Sequence, residues 1–155
     1  MSINDGNIVL NPGEGDTIPV PGHNITHKLR GEDTNGVFSL LEVELYGDGP
    51  PQHIHKTEDE AFYVLEGEIK MLVGEGTFRM KAGAFVNIPK GTVHAMCLVG
   101  QKPAKFLAIF SPPGLEKFFD EAAGLDLTDT EAYVAKAKAL AEKYNMEIVG
   151  PPLKL

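Results

Sequence analysis

The sequence predicts an all-β domain that ends in two helices. Up to about Phe110, short apolar or alternating runs are interrupted by Gly, Pro, Asn and Asp about every 8 to 12 residues, the spacing of a β-barrel or sandwich. After Ser111-Pro112-Pro113-Gly114 the apolar residues take helical spacing. A chain of 155 residues fits one domain, so we predict a β body over residues 1–110 and a helical extension over residues 111–155. Because an amphipathic helix has to bury its apolar face, we expect the extension to pack on the body or on a partner.

The strands are predicted from alternation and from their turn residues. Residues 37–45 alternate well enough for a half-buried strand, and residues 61–65 are rich in aromatic and β-branched side chains. Gly74-Glu75-Gly76 separates two further runs as a three-residue connection, which predicts one hairpin. The series is completed by a tight turn over residues 89–92 and by strands over residues 69–73, 77–81, 84–88, 93–99 and 105–110.

Two helices are predicted after the β body. The first has an apolar face and is closed by Gly124; the face consists of Leu115, Phe118, Phe119 and Ala122. The second begins at Thr128 and Glu131, which have the spacing of a capping box, and can end at Asn145. Its apolar stripe, which needs a surface to cover it, consists of Tyr133, Ala137, Leu140 and Tyr144.

Composition and charge argue against several classes of protein. The net charge of −8, with 14 scattered Lys and Arg residues, would repel a phosphate backbone, so we expect no nucleic-acid partner. No apolar run approaches the roughly 20 residues of a membrane span, and residues 1–6 lack the basic flank and apolar core of a signal peptide, so we expect a cytoplasmic protein without membrane contacts. The single cysteine, Cys97, excludes an internal disulfide and a cysteine-rich zinc module, and we interpret it as packing.

Two histidines one residue apart stand in a segment that otherwise has the pattern of a strand. Since side chains alternate along a strand, His53 and His55 face the same way, about 7 Å apart along the chain, close enough to share an ion. Glu60 follows a short polar turn and would bring a carboxylate back to the pair, and His94 offers a third imidazole at the start of a later strand. The residues alone leave an alternative open, because such a pair in a turn-rich region is also typical of solvated surface.

The order and spacing of these residues match both signature motifs of the cupin superfamily. The first motif is Gly47-x5-His53-x-His55-x4-Glu60-x6-Gly67, and the second, 15 residues later, is Gly83-x5-Pro89-x-Gly91-x2-His94. The sequence therefore resembles a cupin over residues 37–110.

This resemblance implies a small barrel, the jelly roll or double-stranded β-helix, with one divalent metal inside it. The implied ligands are His53, His55, Glu60 and His94. One position departs from the pattern: the Asn that usually follows the last histidine by four residues is Leu98 here, which makes the pocket wall more apolar.

The implied ligand set restricts the metal only to a class. Three neutral imidazoles and one carboxylate fill four positions of a six-coordinate shell, leave two open, and suit Fe, Mn, Co, Ni, Cu or Zn. By strand parity the inward-facing neighbours are Phe62, Val64, Met96 and Leu98. These form either plain core or a substrate pocket, and as a pocket they would favour an apolar or aromatic ligand. His23 and His27 are predicted to lie on the surface and are not assigned to the metal.

The C-terminal sequence carries a second resemblance, which concerns the reaction. The segments SPPGLEKFFDEAAG and YNMEIVGPPL resemble the C-terminal part of small quercetin 2,3-dioxygenase-like cupins. This implies a dioxygenase that cleaves a flavonol-like or other apolar enolic or aromatic substrate with O2, with Glu60 accepting the substrate hydroxyl proton. Two alternatives stay open: a cupin isomerase or lyase, and a metal-containing small-molecule binding module without turnover. Since single-domain cupins commonly pair, a homodimer is also expected, with the helices and the N-terminal segment as surfaces to be covered.

Overall fold

The computed structural model describes residues 2–4 and 6–155, with side chains from residue 6 onward. Its strands are β1 (Ser2–Asn4), β2 (Asn7–Val9), β3 (Asp16–Val20), β4 (His23–Leu29), β5 (Ser39–Leu45), β6 (Pro51–His55), β7 (Asp59–Glu66), β8 (Glu68–Val73), β9 (Gly76–Lys81), β10 (Phe85–Ile88), β11 (His94–Leu98), β12 (Ala104–Ser111) and β13 (Met146–Pro152). The helices are α1 (Glu116–Ala123) and α2 (Thr130–Lys143), and a short 3₁₀ turn spans Gly31–Thr34.

Two antiparallel sheets form a jelly-roll barrel, which confirms the predicted all-β class. The larger sheet has the order β10-β7-β12-β5-β4-β3 and the smaller one the order β13-β6-β11-β8-β9, while β1 and β2 pair separately. The core lies between the two sheets and takes large side chains from both of them, among them Leu41, Phe62, Ile69, Met71, Phe106 and Phe110. Strand β5 shows how the sequence directs this packing, because its residues alternate between buried and half-buried positions along its whole length.

The predicted hairpin is confirmed, but its connection is one residue shorter than predicted. Gly76 belongs to β9 and pairs with Val73, so Gly74 and Glu75 form a two-residue turn. Gly74 has a φ of 61°. Two-residue hairpin turns whose twist matches the strands need this left-handed conformation, which glycine adopts without strain.

The two predicted helices are present, and the second begins one residue later than expected. The N-cap is Asp129, whose Oδ1 accepts a hydrogen bond from the Ala132 amide at 3.0 Å. The predicted capping box at Thr128 is therefore wrong, since the Asp129 carboxylate takes that role and the Thr128 amide donates to Asp126 at 2.8 Å. Asn145, with a φ of 57°, ends the second helix as predicted.

The C-terminal extension contains a strand as well as helices. Strand β13 pairs with β6 at one edge of the smaller sheet. The sequence did not predict it, because Gly150, Pro151 and Pro152 indicate a helix breaker equally well, and proline is tolerated in an edge strand. The apolar stripe of α2 faces its own chain: Leu140 is buried, and Tyr144 lies edge-on to Phe118 with ring centroids 6.1 Å apart.

His27 is buried, which corrects its predicted surface position. It lies on β4, between β3 and β5, is only 4% exposed, and its Nε2 lies 3.0 Å from Oδ1 of Asp120 on α1. Arg30 forms ion pairs with the same carboxylate and with Asp16. Its Nη1 lies 2.8 Å from Oδ2 of Asp120, and its Nη2 lies 2.8 Å from Oδ2 of Asp16. This burial could not be predicted from the sequence, because the covering helix comes about 90 residues later. His23 is half-buried, and its Nδ1 donates to the Pro21 carbonyl at 2.8 Å.

In the part of the chain that the structure describes, neither helix is long and apolar enough to cross a membrane.

The burial of His27 predicts a pH dependence of stability. Burial and the Arg30 charge lower the pKa of His27 below its ordinary value of 6.5, against the opposing effect of Asp120. Because the unfolded chain then binds more protons at this residue, the contribution of neutral His27 is complete above about pH 6.5 and is lost as the pH falls below it. We expect the urea midpoint to drop more between about pH 7.5 and about pH 5 in the wild type than in His27→Gln.

The comparison isolates His27 because the charged neighbours, Arg30, Asp120 and Asp16, are kept in both proteins. Parallel pH profiles for the wild type and the variant would contradict the prediction.

Candidate metal centre

Four side chains from three strands meet at one place inside the barrel. One nitrogen from each of His53, His55 and His94 and one carboxylate oxygen of Glu60 all lie within 4.8 Å of one another. These are the four residues that the sequence singled out, and the structure brings all of them together. His23 and His27 are not part of this group.

The strand arrangement explains why they meet. His53 and His55 alternate with Ile54 on β6, so both face the barrel interior. Strand β11 runs antiparallel beside β6 and places His94 directly opposite His53. Glu60 lies at the start of β7, in the other sheet, so the carboxylate reaches the imidazoles across the core.

Two glycines, one before β6 and one in the second motif, allow the chain to approach this closely. A Cβ on Gly49 would lie 1.8 Å from the Met96 carbonyl oxygen, so only glycine lets the segment before β6 pack against β11. Gly91 has a φ of 81°, and its amide donates to the His55 carbonyl at 2.8 Å. The turn before His94 is therefore tied directly to the strand that carries the other two histidines.

Backbone carbonyls fix the orientation of two of the imidazoles. Nδ1 of His53 donates to the Pro51 carbonyl at 2.7 Å, and Nδ1 of His94 donates to the Thr92 carbonyl at 2.9 Å. A proton held on Nδ1 leaves Nε2 to face the centre, the arrangement found around histidines that bind metals. The ring of His55 packs against Phe110, with centroids 5.9 Å apart, and none of the described residues offers its buried Nδ1 a hydrogen-bond partner.

Glu60 connects the imidazoles to each other. Its Oε2 lies 2.9 Å from Nε2 of His94 and 3.0 Å from Nε2 of His55. An ion about 2.1 Å from each donor needs neighbouring donors about 3 Å apart and opposite donors about 4.2 Å apart. The observed separations fit such an ion after small movements of the side chains.

Burial makes the electrostatics of the group strong. The exposed fractions are 9% for His53, 3% for His55, 5% for Glu60 and 1% for His94. Burial and the two neighbouring histidines lower the pKa of His53 to about 3. Burial opposes ionisation of Glu60, but hydrogen bonds from His55 and His94 hold its pKa below the ordinary value. Burial also opposes protonation of His94, and its hydrogen bond to Glu60 outweighs this and raises its pKa.

The donor set fits a divalent transition-metal ion and does not choose among such ions. Three imidazole nitrogens and one carboxylate oxygen suit Mn, Fe, Co, Ni, Cu and Zn, and a structural zinc site would usually carry thiolates. Cys97 does not supply one, because it lies outside the group and is buried, which raises the pKa of its thiol.

The four residues predicted to line a substrate pocket lie in the packed interior, on the two strands that carry Glu60 and His94. Phe62, Val64 and Met96 belong to the buried core, and Leu98 is half-buried against it. Two cavities of about 610 and 430 Å³ lie elsewhere, the first beside His27 and Arg30 and the second between α2 and β13. A pocket made of these four residues therefore stays a prediction.

Comparison with known proteins places this site in a family context. The cupin domain model matches residues 39–110, which include all four residues of the group. Quercetin 2,3-dioxygenase of Bacillus subtilis (strain 168) is 30% identical over 113 residues, which are 72% of this chain and 33% of that protein. This chain therefore corresponds to about a third of the length of that relative.

Solved structures show the same fold at low sequence identity. KdgF from Halomonas sp. aligns with a TM-score of 0.63 and 18% identity, over 72% of this chain and 98% of that one. Ectoine synthase from P. lautus aligns with a TM-score of 0.59 and 20% identity, over 96% of this chain and 94% of that one. At this identity the likeness supports the fold alone.

The geometry predicts that the purified protein binds about one equivalent of a divalent transition metal per chain. After removal of metals by a chelator, added Co²⁺ or Ni²⁺ should raise the stability by about 2.7 kcal/mol at a hundredfold excess over the dissociation constant. His94→Ala should weaken binding by at least about 100-fold, because it removes a ligand and leaves Glu60 with one fewer partner.

His23→Ala is the matched control, since His23 lies outside the group and should leave affinity unchanged. Calorimetric titration and thermal melts measure both effects. A wild-type protein that neither binds these ions nor gains stability from them would show that the four residues are not a metal site.

Proposed function

Because this chain belongs to the cupin superfamily, we propose that it is a metal-dependent enzyme of the dioxygenase type. The proposed substrate is a flavonol-like or other apolar enolic or aromatic molecule, which would react with O2. The observation that carries the proposal is the convergence of three imidazole nitrogens and the Glu60 carboxylate inside an apolar barrel. The partial relationship to a quercetin 2,3-dioxygenase supports this choice of reaction.

The ligands, their hydrogen-bond partners and the apolar core have separate roles in the proposed reaction. A divalent ion held by His53, His55, Glu60 and His94 would lower the pKa of an enolic hydroxyl and offer open coordination positions to the reactants. The Nδ1 hydrogen bonds of His53 and His94 keep their Nε2 atoms aimed at the centre. The apolar core around the group excludes water, which strengthens every charge interaction there.

Glu60 is the proposed proton acceptor. It is the only carboxylate of the group, and its Oε2 is already held by hydrogen bonds to His55 and His94. These contacts lower its pKa, so it becomes an effective base only when it gives up one of them and turns toward the substrate. The hydroxyl proton of the substrate would then pass to the freed carboxylate oxygen.

A metal-containing binding module without turnover is the second candidate. It is supported by the packing of Phe62, Val64 and Met96, which belong to the buried core of the barrel. Oxygen uptake separates the two candidates. Its absence across flavonols, diketones and catechols in every metal form would favour the binding module. An isomerase or lyase would need polar groups converging on the substrate, and the inward neighbours of the ligands are apolar.

We also propose that the protein forms a homodimer through the outer face of its larger sheet. Phe85 on β10 and Tyr63 on β7 are direct partners across the strands and are 62% and 44% exposed. Leu65 continues the same face at 38% exposure. The helical stripe already packs on its own chain, so this face is the better candidate for the predicted dimer contact.

Replacement of Glu60 tests the proposed reaction. Glu60→Gln, loaded with the same metal to equal occupancy, should bind substrate yet turn over about 100-fold more slowly, because the amide cannot accept the proton. Glu58→Gln is the matched control, since Glu58 is a buried carboxylate two residues before Glu60 but lies outside the group. Oxygen consumption with a flavonol panel measures both rates. Equal rates in Glu60→Gln and the wild type would rule out the proposed role of Glu60.

Replacement of Phe85 tests the dimer. Light scattering should give twice the chain mass for the wild type, and Phe85→Glu should shift the protein to monomer, because a charge on the apolar face is costly to bury. Phe78→Glu is the control, because Phe78 is 55% exposed on the other sheet. A wild-type mass that stays monomeric at all concentrations would refute the proposal.

A further inference from the structure

Strand β6 carries two of the four proposed metal ligands but has little support from the sheet on one side. Towards β11 it pairs only at His53, opposite His94, with an added hydrogen bond from Gly91 to the His55 carbonyl. Towards β13 it pairs at four positions, and two of them are the histidines themselves. Met146 lies opposite His55, and Ile148 lies opposite His53.

Further contacts hold β13 to this strand at both ends. The Lys56 amide donates to the Asn145 carbonyl at 2.9 Å, just beyond His55. The Gln52 side chain donates to the Pro151 carbonyl at 3.1 Å, just before His53, and Gly150 packs against Gln52. Met146 is buried in the core, and α2 ahead of it is fixed by buried Leu140. The C-terminal strand is therefore firmly attached to its own chain.

From this arrangement we propose that β13 positions the metal ligands, so that pairing of residues 146–148 with β6 sets the metal affinity of His53 and His55. The proposal rests on the metal site proposed above. Ligands work only when held within about 0.5 Å of their productive positions, and an edge strand without a neighbour cannot hold two of them that closely. Groups that orient metal ligands typically change affinity by about 10- to 100-fold.

The alternation of hydrogen-bonded pairs between β6 and β13 identifies which amide of β13 bonds to the ligand strand. In antiparallel pairs, hydrogen-bonded and non-hydrogen-bonded positions alternate. Since Lys56 bonds to Asn145, the next hydrogen-bonded pair is Ile54 with Glu147. The Glu147 amide thus points to β6, whereas the amides of Met146 and Ile148 point away from it. A proline at 147 removes a bond to the ligand strand, and a proline at 148 does not.

Co²⁺ titration of full-length variants tests the proposal, with the visible absorption of bound Co²⁺ reporting the ligand geometry. Glu147→Pro should bind Co²⁺ about 10- to 100-fold more weakly than the wild type and show an altered spectrum. Ile148→Pro, an edge proline facing away, and Glu147→Ala, which only removes the exposed ion pair to Lys56, should stay within about threefold of the wild type. Equal Co²⁺ affinity and spectrum in Glu147→Pro and the wild type would overturn the positioning role.

Amide hydrogen exchange of the wild-type protein keeps the test decisive even when Glu147→Pro does not fold. Coupling between two sites is reciprocal. If the β6–β13 pairing raises the affinity for Zn²⁺ by some factor, Zn²⁺ binding must stabilise the pairing by the same factor. The amides of Ile54, Lys56 and Glu147 should exchange about tenfold or more slowly with Zn²⁺, beyond any slowing in the β8–β9 hairpin. Equal slowing in both places would overturn this inference while leaving the metal site intact. A wild-type protein that binds neither ion would instead defeat the metal site itself.

Discussion

The buried charge of Glu60 is the interaction on which the rest of the structure depends. A carboxylate that is 5% exposed in an apolar barrel is costly unless it is paired, and here two imidazole nitrogens lie within 3.0 Å of one oxygen. Those imidazoles can serve only because their own positions are fixed: that of His94 by the Thr92 carbonyl, and that of His55 by the strand that β13 holds. Loss of any one of these contacts would leave the buried charge of Glu60 with one fewer partner. The close packing at Gly49 and the tight turn at Gly91 are thus requirements of one electrostatic arrangement.

The sequence could predict this arrangement because most of its determinants are local. Alternation along a strand puts His53 and His55 on one face, and a short polar turn returns Glu60 to the same level of the barrel. Only the position of His94 needed information from a distant segment, and the resemblance of that segment to the second cupin motif supplied it. Parity also assigned Phe62 and Val64 to the inside. It could not show how deeply they lie, since their packing against residues such as Phe106 depends on the other strands of the sheet.

What the sequence could not predict arises from contacts across about 90 residues. The burial of His27 depends on Asp120, and the support of β6 depends on residues after α2. No periodicity in either segment records its partner, because each is compatible with an exposed position when read alone. The shift of the second helix from Thr128 to Asp129 has a different cause. Two adjacent residues can both cap a helix, and the choice between them follows from the bond that the Thr128 amide makes to Asp126.

The ligand residues come from both sheets and meet inside the barrel. Without a metal, the hydrogen bond to Glu60 favours a proton on Nε2 of His94, where a ligand needs a lone pair, so binding of an ion must release protons and grow weaker as the pH falls. His53 is the most exposed of the four residues, and it lies on the strand that β13 covers. The same ligand set is compatible with an oxygenase, an isomerase or a binding module, so the ligands themselves do not select the reaction. That selection depends on which molecules can reach the four ligand residues inside the barrel.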